Sequence, residues 1–136
     1  MQPFLFPTGG SNLDLRQCDL HDRNLIGKTL DGALMSETNL DNTNLSKGSL
    51  TKVYAADASA RGLDLSNAVL DRADFTGSDL SNANLSGTLI SRTSFERAEL
   101  MGASFDGAVV ALQDLKYLCA NESLQSDARE QVGCPQ

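Results

Sequence analysis

The amino-acid sequence predicts an all-β solenoid, a quadrilateral β-helix of about five coils that is closed at its C-terminal end by an α-helical cap. Three observations carry this prediction. Apolar residues recur every five positions, a second series of smaller residues recurs two positions before them, and proline is absent from the repeating part of the chain. Because each coil must hydrogen-bond to the next, the missing proline is what such a wall requires.

The five-residue period is strict. Every fifth residue from Leu15 to Val110 is apolar, twenty in succession. At the observed apolar composition such a run would arise by chance roughly once in a hundred million trials. A period of five fits neither the α-helix nor the β-strand, but it fits a chain that turns a corner every five residues. Four such sides make a coil of twenty residues, and five stacked coils make a rod roughly 24 Å long.

The second series supplies the smaller inward side chains. Two of its positions are unusual, because Arg23 and Lys28 place charges where the pattern points inward, and burying a charge is costly. We therefore expect residues 22–28 to form a distorted first coil or a loop. Ala55 and Ala60 are undersized members of the large series and predict weaker packing in one coil. The small series reads Ala33, Thr38, Thr43, Gly48, Val53, Ala58, Ala68, Ala73, Ser78, Ala83, Thr88, Thr93, Ala98, Ala103 and Ala108.

Both ends of a solenoid expose unpaired strand edges and need covers. We expect residues 1–12 to cover the first coil through Phe4, Leu5 and Phe6, residues 13–112 to form the β-helix, and residues 113–136 to form the cap.

Two helices are predicted in the cap. The first follows the helical spacing of Val110, Leu112, Leu115, Leu118 and Cys119. The second is predicted to begin at an N-cap near Ser123 and to end at Gly133, which suits the residue after a helix.

Individual repeat units resemble a known family. Ala73-Asp74-Phe75-Thr76-Gly77 and Ala83-Asn84-Leu85-Ser86-Gly87 resemble the A-(D/N)-L-x-x motif of pentapeptide-repeat proteins. The resemblance implies a right-handed quadrilateral β-helix and no established enzymatic activity.

Segments near the two ends of the chain resemble one group within this family. Residues 13–18, 27–30, 118–123 and 132–134 are similar to the lumenal pentapeptide-repeat proteins of chloroplasts and cyanobacteria. That similarity implies a location in the thylakoid lumen and a mature protein, with the transit peptide absent from this sequence.

The three cysteines divide into a pair and a single residue. Cys119 and Cys134 bracket the second cap helix, and the oxidising lumen implied by the resemblance leads us to expect a disulfide between them. Such a bridge stabilises by roughly 3 kcal/mol in the chain-entropy model. In a reducing compartment the pair would be two free thiols. Cys18 falls in the small inward series and is predicted to be a buried thiol without a redox role.

Composition argues against several function classes. The net charge of -7 disfavours nucleic-acid binding through phosphate neutralisation, and no apolar run approaches the ~18 residues of a membrane span. The single histidine, His21, lies beside Asp19 and Asp22, which we interpret as a solvated surface. No nucleophile, phosphate-binding or metal motif is present. We therefore expect a protein that is not an enzyme, uses no cofactor or metal and does not insert into membranes.

One face of the predicted rod is unusual. On the face of Leu30, Leu50, Leu70, Ile90 and Val110, the preceding position, which is usually Asp or Asn, holds Val69, Leu89 and Val109 in the last three coils. We call these three residues the apolar ladder. Beside them Lys52, Arg72 and Arg92 form a basic ladder. Exposed apolar surface beside charge is typical of a binding site, although Val109 could lie beneath the cap and an apolar ladder could simply stabilise the wall.

Other surfaces give weaker or opposite signals. Leu34 and Tyr54 form a smaller apolar patch on another face. The face of Leu20 carries five carboxylates against Arg61 alone: Asp19, Asp22, Asp41, Asp79 and Glu99.

Two function hypotheses follow. The first is a non-enzymatic interaction or scaffold protein of the thylakoid lumen that binds an unidentified protein partner, and we expect it to be a monomer. The alternative is an acidic DNA mimic that binds DNA gyrase, as some pentapeptide-repeat proteins do. A short rod, an uneven distribution of acid and the basic ladder all disfavour the mimic.

Overall fold

The computed structural model describes residues 13–135, so the expected cover of residues 1–12 lies outside the described residues. Its wall is built from parallel pairing between residues twenty positions apart, from Asp14 with Leu34 to Asn84 with Ser104. Within residues 13–135 regular strands form only where Leu89 pairs with Val109 and Ile90 with Val110. These strands are β1 (Leu89–Ile90) and β2 (Val109–Val110), which are parallel neighbours. The all-β prediction is thus met by coil pairing with little regular sheet, because each wall runs for only two or three residues between corners.

Backbone hydrogen bonds repeat along each face. The Leu15 N–H donates to Leu34 O at 2.7 Å, and the Leu34 N–H donates back to Leu13 O at 2.9 Å. At each corner the residue two positions after the large residue has a positive φ, such as 59° at Gln17 and 70° at Gly77. Bulky residues rarely adopt this conformation, so the pairing on both sides of the corner must stabilise it.

The core is formed by the two inward series. The large residues from Leu30 to Phe105 are buried, and the small series holds its hydroxyl groups inside the coil. The Thr38 hydroxyl donates to Leu15 O at 2.6 Å, and the Ser78 hydroxyl donates to Ala55 O at 2.5 Å. Because these buried polar groups are hydrogen-bonded, threonine and serine can replace alanine there at little cost.

The first coil is regular, and the expected distortion or loop over residues 22–28 is wrong. Asn24 pairs with Asn44, and the Leu25 N–H donates to Asn44 O at 2.8 Å. Arg23 and Lys28 keep their place in the turns but are exposed. Among the described residues the first coil has a neighbour on one side only, so long side chains at inward positions can reach water.

The undersized residues Ala55 and Ala60 are both fully buried. Val53 belongs to the small series and Leu63 lies at the next-but-one position of the same five-residue spacing; both are larger than alanine and fully buried. Their larger side chains fill space inside the coil where the large series has only alanine. Farther along the rod Phe75 stacks on Phe95 with ring centroids 5.9 Å apart.

The cap consists of two helices, α1 (Leu112–Cys119) and α2 (Ser126–Val132). Gly133 ends α2 with a φ of 85°, as expected. The expected start at Ser123 is wrong, since α2 begins after Gln125. Ser123 instead hydrogen-bonds to the last coil, where its hydroxyl oxygen accepts the Leu100 N–H at 2.8 Å.

A disulfide joins Cys119 at the end of α1 to Cys134 after α2, with Cα atoms 5.6 Å apart. It ties the second helix to the first. No helix within residues 13–135 is both long and apolar enough to cross a bilayer.

Candidate interaction face

The apolar ladder is a continuous column of side chains on the outside of the wall. Val69 pairs with Leu89, and Leu89 pairs with Val109, so the three side chains are about 4.8 Å apart, the spacing of adjacent strands. Val69 is half-buried, Leu89 is 49% exposed and Val109 is 60% exposed. The alternative that the cap covers Val109 is therefore wrong.

The side chains of the apolar ladder cannot accept the turn hydrogen bond that outward Asp and Asn residues accept elsewhere in the wall. On other faces an Asp or Asn caps the turn amide two residues later, as when Asp74 Oδ1 accepts the Thr76 N–H at 2.9 Å and Asn84 Oδ1 accepts the Ser86 N–H at 2.9 Å. Valine and leucine have no acceptor for such a cap. The wall thus gives up a local hydrogen bond at each of these positions and presents apolar surface instead.

One coil nearer the N-terminal end of the rod, the outward position on the same face is still polar. The Ser49 hydroxyl donates to Asp31 Oδ1 at 2.6 Å, and the same oxygen accepts the Thr51 N–H at 2.9 Å. The apolar surface therefore begins at Val69 and is confined to the half of the rod nearest the cap.

The basic ladder lies at one corner of this face. Lys52, Arg72 and Arg92 occupy the corner position, with φ of 60°, 61° and 54°, and all three are exposed. Arg92 is paired with Asp71 at 2.9 Å. Lys52 and Arg72 form no ion pair with any of residues 13–135. Two of the three cations are therefore available to a partner.

The first cap helix adds exposed apolar residues that the sequence pattern did not indicate. Leu112, assigned above to the helical stripe, is 85% exposed, and Leu118 is the buried residue of α1. Tyr117 is also exposed, with the Lys116 Nζ 5.0 Å from its ring centroid. A helical spacing identifies the residues that share a stripe, but the docking of α1 decides which of them face the coil.

The smaller apolar patch lies on a separate face. Leu34 pairs with Tyr54, and Tyr54 is exposed. In the next coil of this column the polar Asp74 follows, so the patch spans two coils only.

The acidic face is partly compensated by one arginine. Arg61 lies 3.4 Å from Asp41 and 3.9 Å from Asp79. Partial burial works to raise the pKa of Asp41, but hydrogen bonds from Ser59 and Arg61 outweigh it and lower that pKa. The remaining carboxylates leave this face acidic, opposite in sign to the basic ladder.

His21 and Cys18 offer no reactive arrangement. The His21 Nδ1 lies 2.5 Å from Asp19 Oδ1, and both side chains are more than half exposed. The hydrogen bond raises the pKa of His21 and lowers that of Asp19. Burial raises the pKa of the Cys18 thiol, which suppresses the reactive thiolate. Among residues 13–135 no cluster of three or more histidine, cysteine or acidic residues is placed to hold a metal ion.

Comparison with protein-family models matches residues 14–51, 49–87 and 78–109 to pentapeptide repeats, in eight copies. Among solved structures, a pentapeptide repeat protein from the thylakoid lumen of Arabidopsis thaliana is 27% identical, with 90% of this chain and 89% of that chain covered and a TM-score of 0.58. No curated protein matches the chain.

Two cyanobacterial structures are also similar. Rfr23 from Cyanothece 51142 is 19% identical, with 72% of this chain and 91% of that chain covered and a TM-score of 0.44. HetL from Nostoc sp. strain PCC 7120, described as involved in heterocyst differentiation regulation, is 29% identical, with 70% and 52% covered and a TM-score of 0.34.

Proposed function

The chain belongs to the pentapeptide-repeat family, and from this premise we propose that it is a non-enzymatic interaction protein of the thylakoid lumen. We infer the right-handed coil of the family for its β-helix. The similarity to the Arabidopsis lumenal protein over nearly the whole chain supports the compartment. The Cys119–Cys134 disulfide supports it too, since disulfides persist in oxidising compartments.

The apolar ladder is the observation that carries the interaction role. Leu89 and Val109 are about half exposed and adjacent in the wall, and Leu112, at the start of α1, is exposed as well. Contiguous apolar surface beside charged residues is typical of protein interaction sites. Burial of such side chains against a partner contributes about 25 cal/mol for each Å² removed from water.

The basic ladder indicates the charge of the partner. Lys52 and Arg72 form no ion pair within the described part of the chain. A partner with carboxylates at the rim of an apolar patch therefore complements this face. Complementary charge mainly raises the association rate and sets the orientation of binding.

The wall also favours binding because it is preorganised. Each residue of the apolar ladder is held by backbone hydrogen bonds to the coil before it, as in the 3.0 Å bond from the Val69 N–H to Gly48 O. A rigid face loses little conformational entropy when it binds.

The test is affinity capture from a thylakoid-lumen extract. The bait proteins are the wild type, the double variant Val69→Asp/Leu89→Asp, and the control Asn39→Asp/Asn84→Asp. The control adds the same charge at the same repeat position on two other faces. Circular dichroism establishes that all three are folded.

A partner retained by the wild type and the control but lost from the ladder variant supports the proposal. The same partners on all three baits would show that binding uses another face. A surface plasmon resonance measurement with the captured partner at low and high salt then checks the basic ladder, since its contribution to the association rate falls as salt rises.

A further inference from the structure

The last coil has no following coil to accept its backbone N–H groups, so the cap must replace those acceptors. It does so with side chains at four positions. The Arg92 N–H donates to Asp114 Oδ2 at 2.6 Å, Leu100 N–H to Ser123 Oγ at 2.8 Å, Gly102 N–H to Gln125 Oε1 at 2.9 Å and Phe105 N–H to Gln131 Oε1 at 2.8 Å.

On the side of Phe95, the described residues of the cap cover none of the three edge groups of the last coil. One coil earlier the Phe75 N–H donates to Ser94 O at 2.9 Å, the Gly77 N–H donates to Glu96 O at 2.8 Å, and Ala73 O accepts the Ser94 N–H at 3.0 Å. The equivalent groups in the last coil are the N–H of Phe95, the N–H of Arg97 and the carbonyl of Thr93. None of these three has a hydrogen-bond partner among residues 13–135.

A groove of about 530 Å³ lies over these groups. Phe95, which is 6% exposed, contributes to its floor, and α1 contributes one wall through Tyr117 and Leu118. Arg97 and Glu96 lie at its rim and pair with each other at 3.2 Å. The volume is within the roughly 300–1,000 Å³ of ordinary ligand pockets, and the groove joins apolar surface to unpaired backbone groups.

We propose that this groove binds an extended segment of a partner protein, which adds one parallel strand to the open edge from Thr93 to Arg97. One residue of the segment donates its N–H to Thr93 O and accepts the Phe95 N–H on its own carbonyl. The carbonyl two residues later accepts the Arg97 N–H. The residue between them points inward and packs on Phe95, so it is apolar.

The hydrogen-bonding groups select this type of ligand. A fully deprotonated anion such as sulfate could accept from the two N–H groups but could not donate to the Thr93 carbonyl, whereas a peptide backbone supplies both donors and acceptors in this order. α1 lines one side of the groove through Tyr117 and Leu118, so the proposed ligand is a single extended segment beside that helix. The groove is distinct from the apolar ladder, so the two proposals can fail separately.

Amide hydrogen exchange measured by NMR tests whether the edge is open. In the free protein we expect the amides of Phe95 and Arg97 to exchange at least tenfold faster than those of Phe75 and Gly77, which are paired one coil earlier. Equal protection at the two levels would overturn the proposal, because the edge would then already be occupied.

A synthetic probe tests the ligand. We choose acetyl-Ser-Thr-Leu-Thr-Ser-amide, whose leucine is placed to pack on Phe95, and its analogue N-methylated at the first threonine, which cannot donate to Thr93 O. We expect the probe to slow exchange at Phe95 and Arg97, and the analogue to bind about tenfold more weakly, since it lacks one hydrogen bond. Equal affinity for both peptides would overturn the strand register.

Two tryptophan variants locate the binding. Ala120→Trp fills the groove, which Ala120 lines, whereas Gln113→Trp puts the same side chain on an exposed position of α1 that does not line it. We expect the first variant to abolish probe binding and the second to retain it. Equal binding by the two would overturn the site. Protection that appears without probe as protein concentration rises, together with a dimer in sedimentation, would assign the edge to a second copy and overturn the proposed ligand.

Discussion

The repeating wall and the cap pair the backbone of a coil in different ways. In the wall the outward residue of each side pairs with the residue twenty positions away, so the pairing depends on the period and tolerates many outward side chains. In the cap the same N–H groups are satisfied by particular side chains, including Ser123 and Gln131. The stability of the wall therefore depends on whether its inward residues are apolar. The stability of the cap depends on the identity of a few polar residues and on one disulfide bond.

The largest effect is expected from a charge placed inside the wall. Leu85→Asp buries an unpaired carboxylate at a fully buried position, which costs about 5 kcal/mol, comparable to the whole stability of many domains. Circular dichroism and urea unfolding should show an unfolded chain. The neighbouring Asn84→Asp, on the outward position, is the control and should unfold as the wild type does. A stably folded Leu85→Asp protein would contradict the inward assignment.

A smaller loss of stability is expected when the disulfide in the cap is removed. Cys119→Ser/Cys134→Ser releases a loop with a sequence separation of 15 and should lower the free energy of unfolding by about 3 kcal/mol. Urea unfolding measures this loss, and wild type treated with a reductant should match the variant. Mass spectrometry without reduction should find Cys119 linked to Cys134. Three alkylatable thiols in protein from the native compartment would contradict the bridge.

Removal of a single acceptor in the cap should have a local effect. Ser123→Ala leaves the Leu100 N–H without its partner, which costs about 1–3 kcal/mol. Hydrogen exchange at Leu100 should accelerate while exchange at Leu80, one coil earlier, stays slow. Ser126→Ala, at an exposed position of α2, is the control. Unchanged exchange at Leu100 would show that the cap does not replace the missing coil in this way.

The smallest effect is expected from pH at the first coil. The hydrogen bond with Asp19 raises the pKa of His21 above the usual histidine value of about 6.5, so the protonated form is favoured in the folded chain. This contribution is fully present below about pH 6.5 and is lost as pH rises through the raised pKa. The free energy of unfolding should fall slightly over this window in the wild type but not in His21→Gln. Identical pH profiles would rule out this linkage.

Sequence reasoning recovered the wall because a period of five is a property of neighbouring residues. It placed Val69, Leu89 and Val109 in one outward column, because residues twenty apart must stack once the coil has four sides. It was wrong over residues 22–28, because a charge in the inward series is costly only where a coil covers it. It was also wrong about Ser123, whose sequence context suits a helix start but whose hydroxyl is used by the last coil.

The sequence by itself determined the coil, its inward residues and the column in which apolar residues face outward. These features follow from local spacing, since burial of a large residue every five positions leaves few other shapes. The tertiary structure decided what lies at the end of the rod. The docking of the two helices decides which N–H groups are covered and which face of α1 is exposed. The same docking leaves the edge from Thr93 to Arg97 open. Docking is a balance of contacts distant in the chain, and no local pattern encodes it.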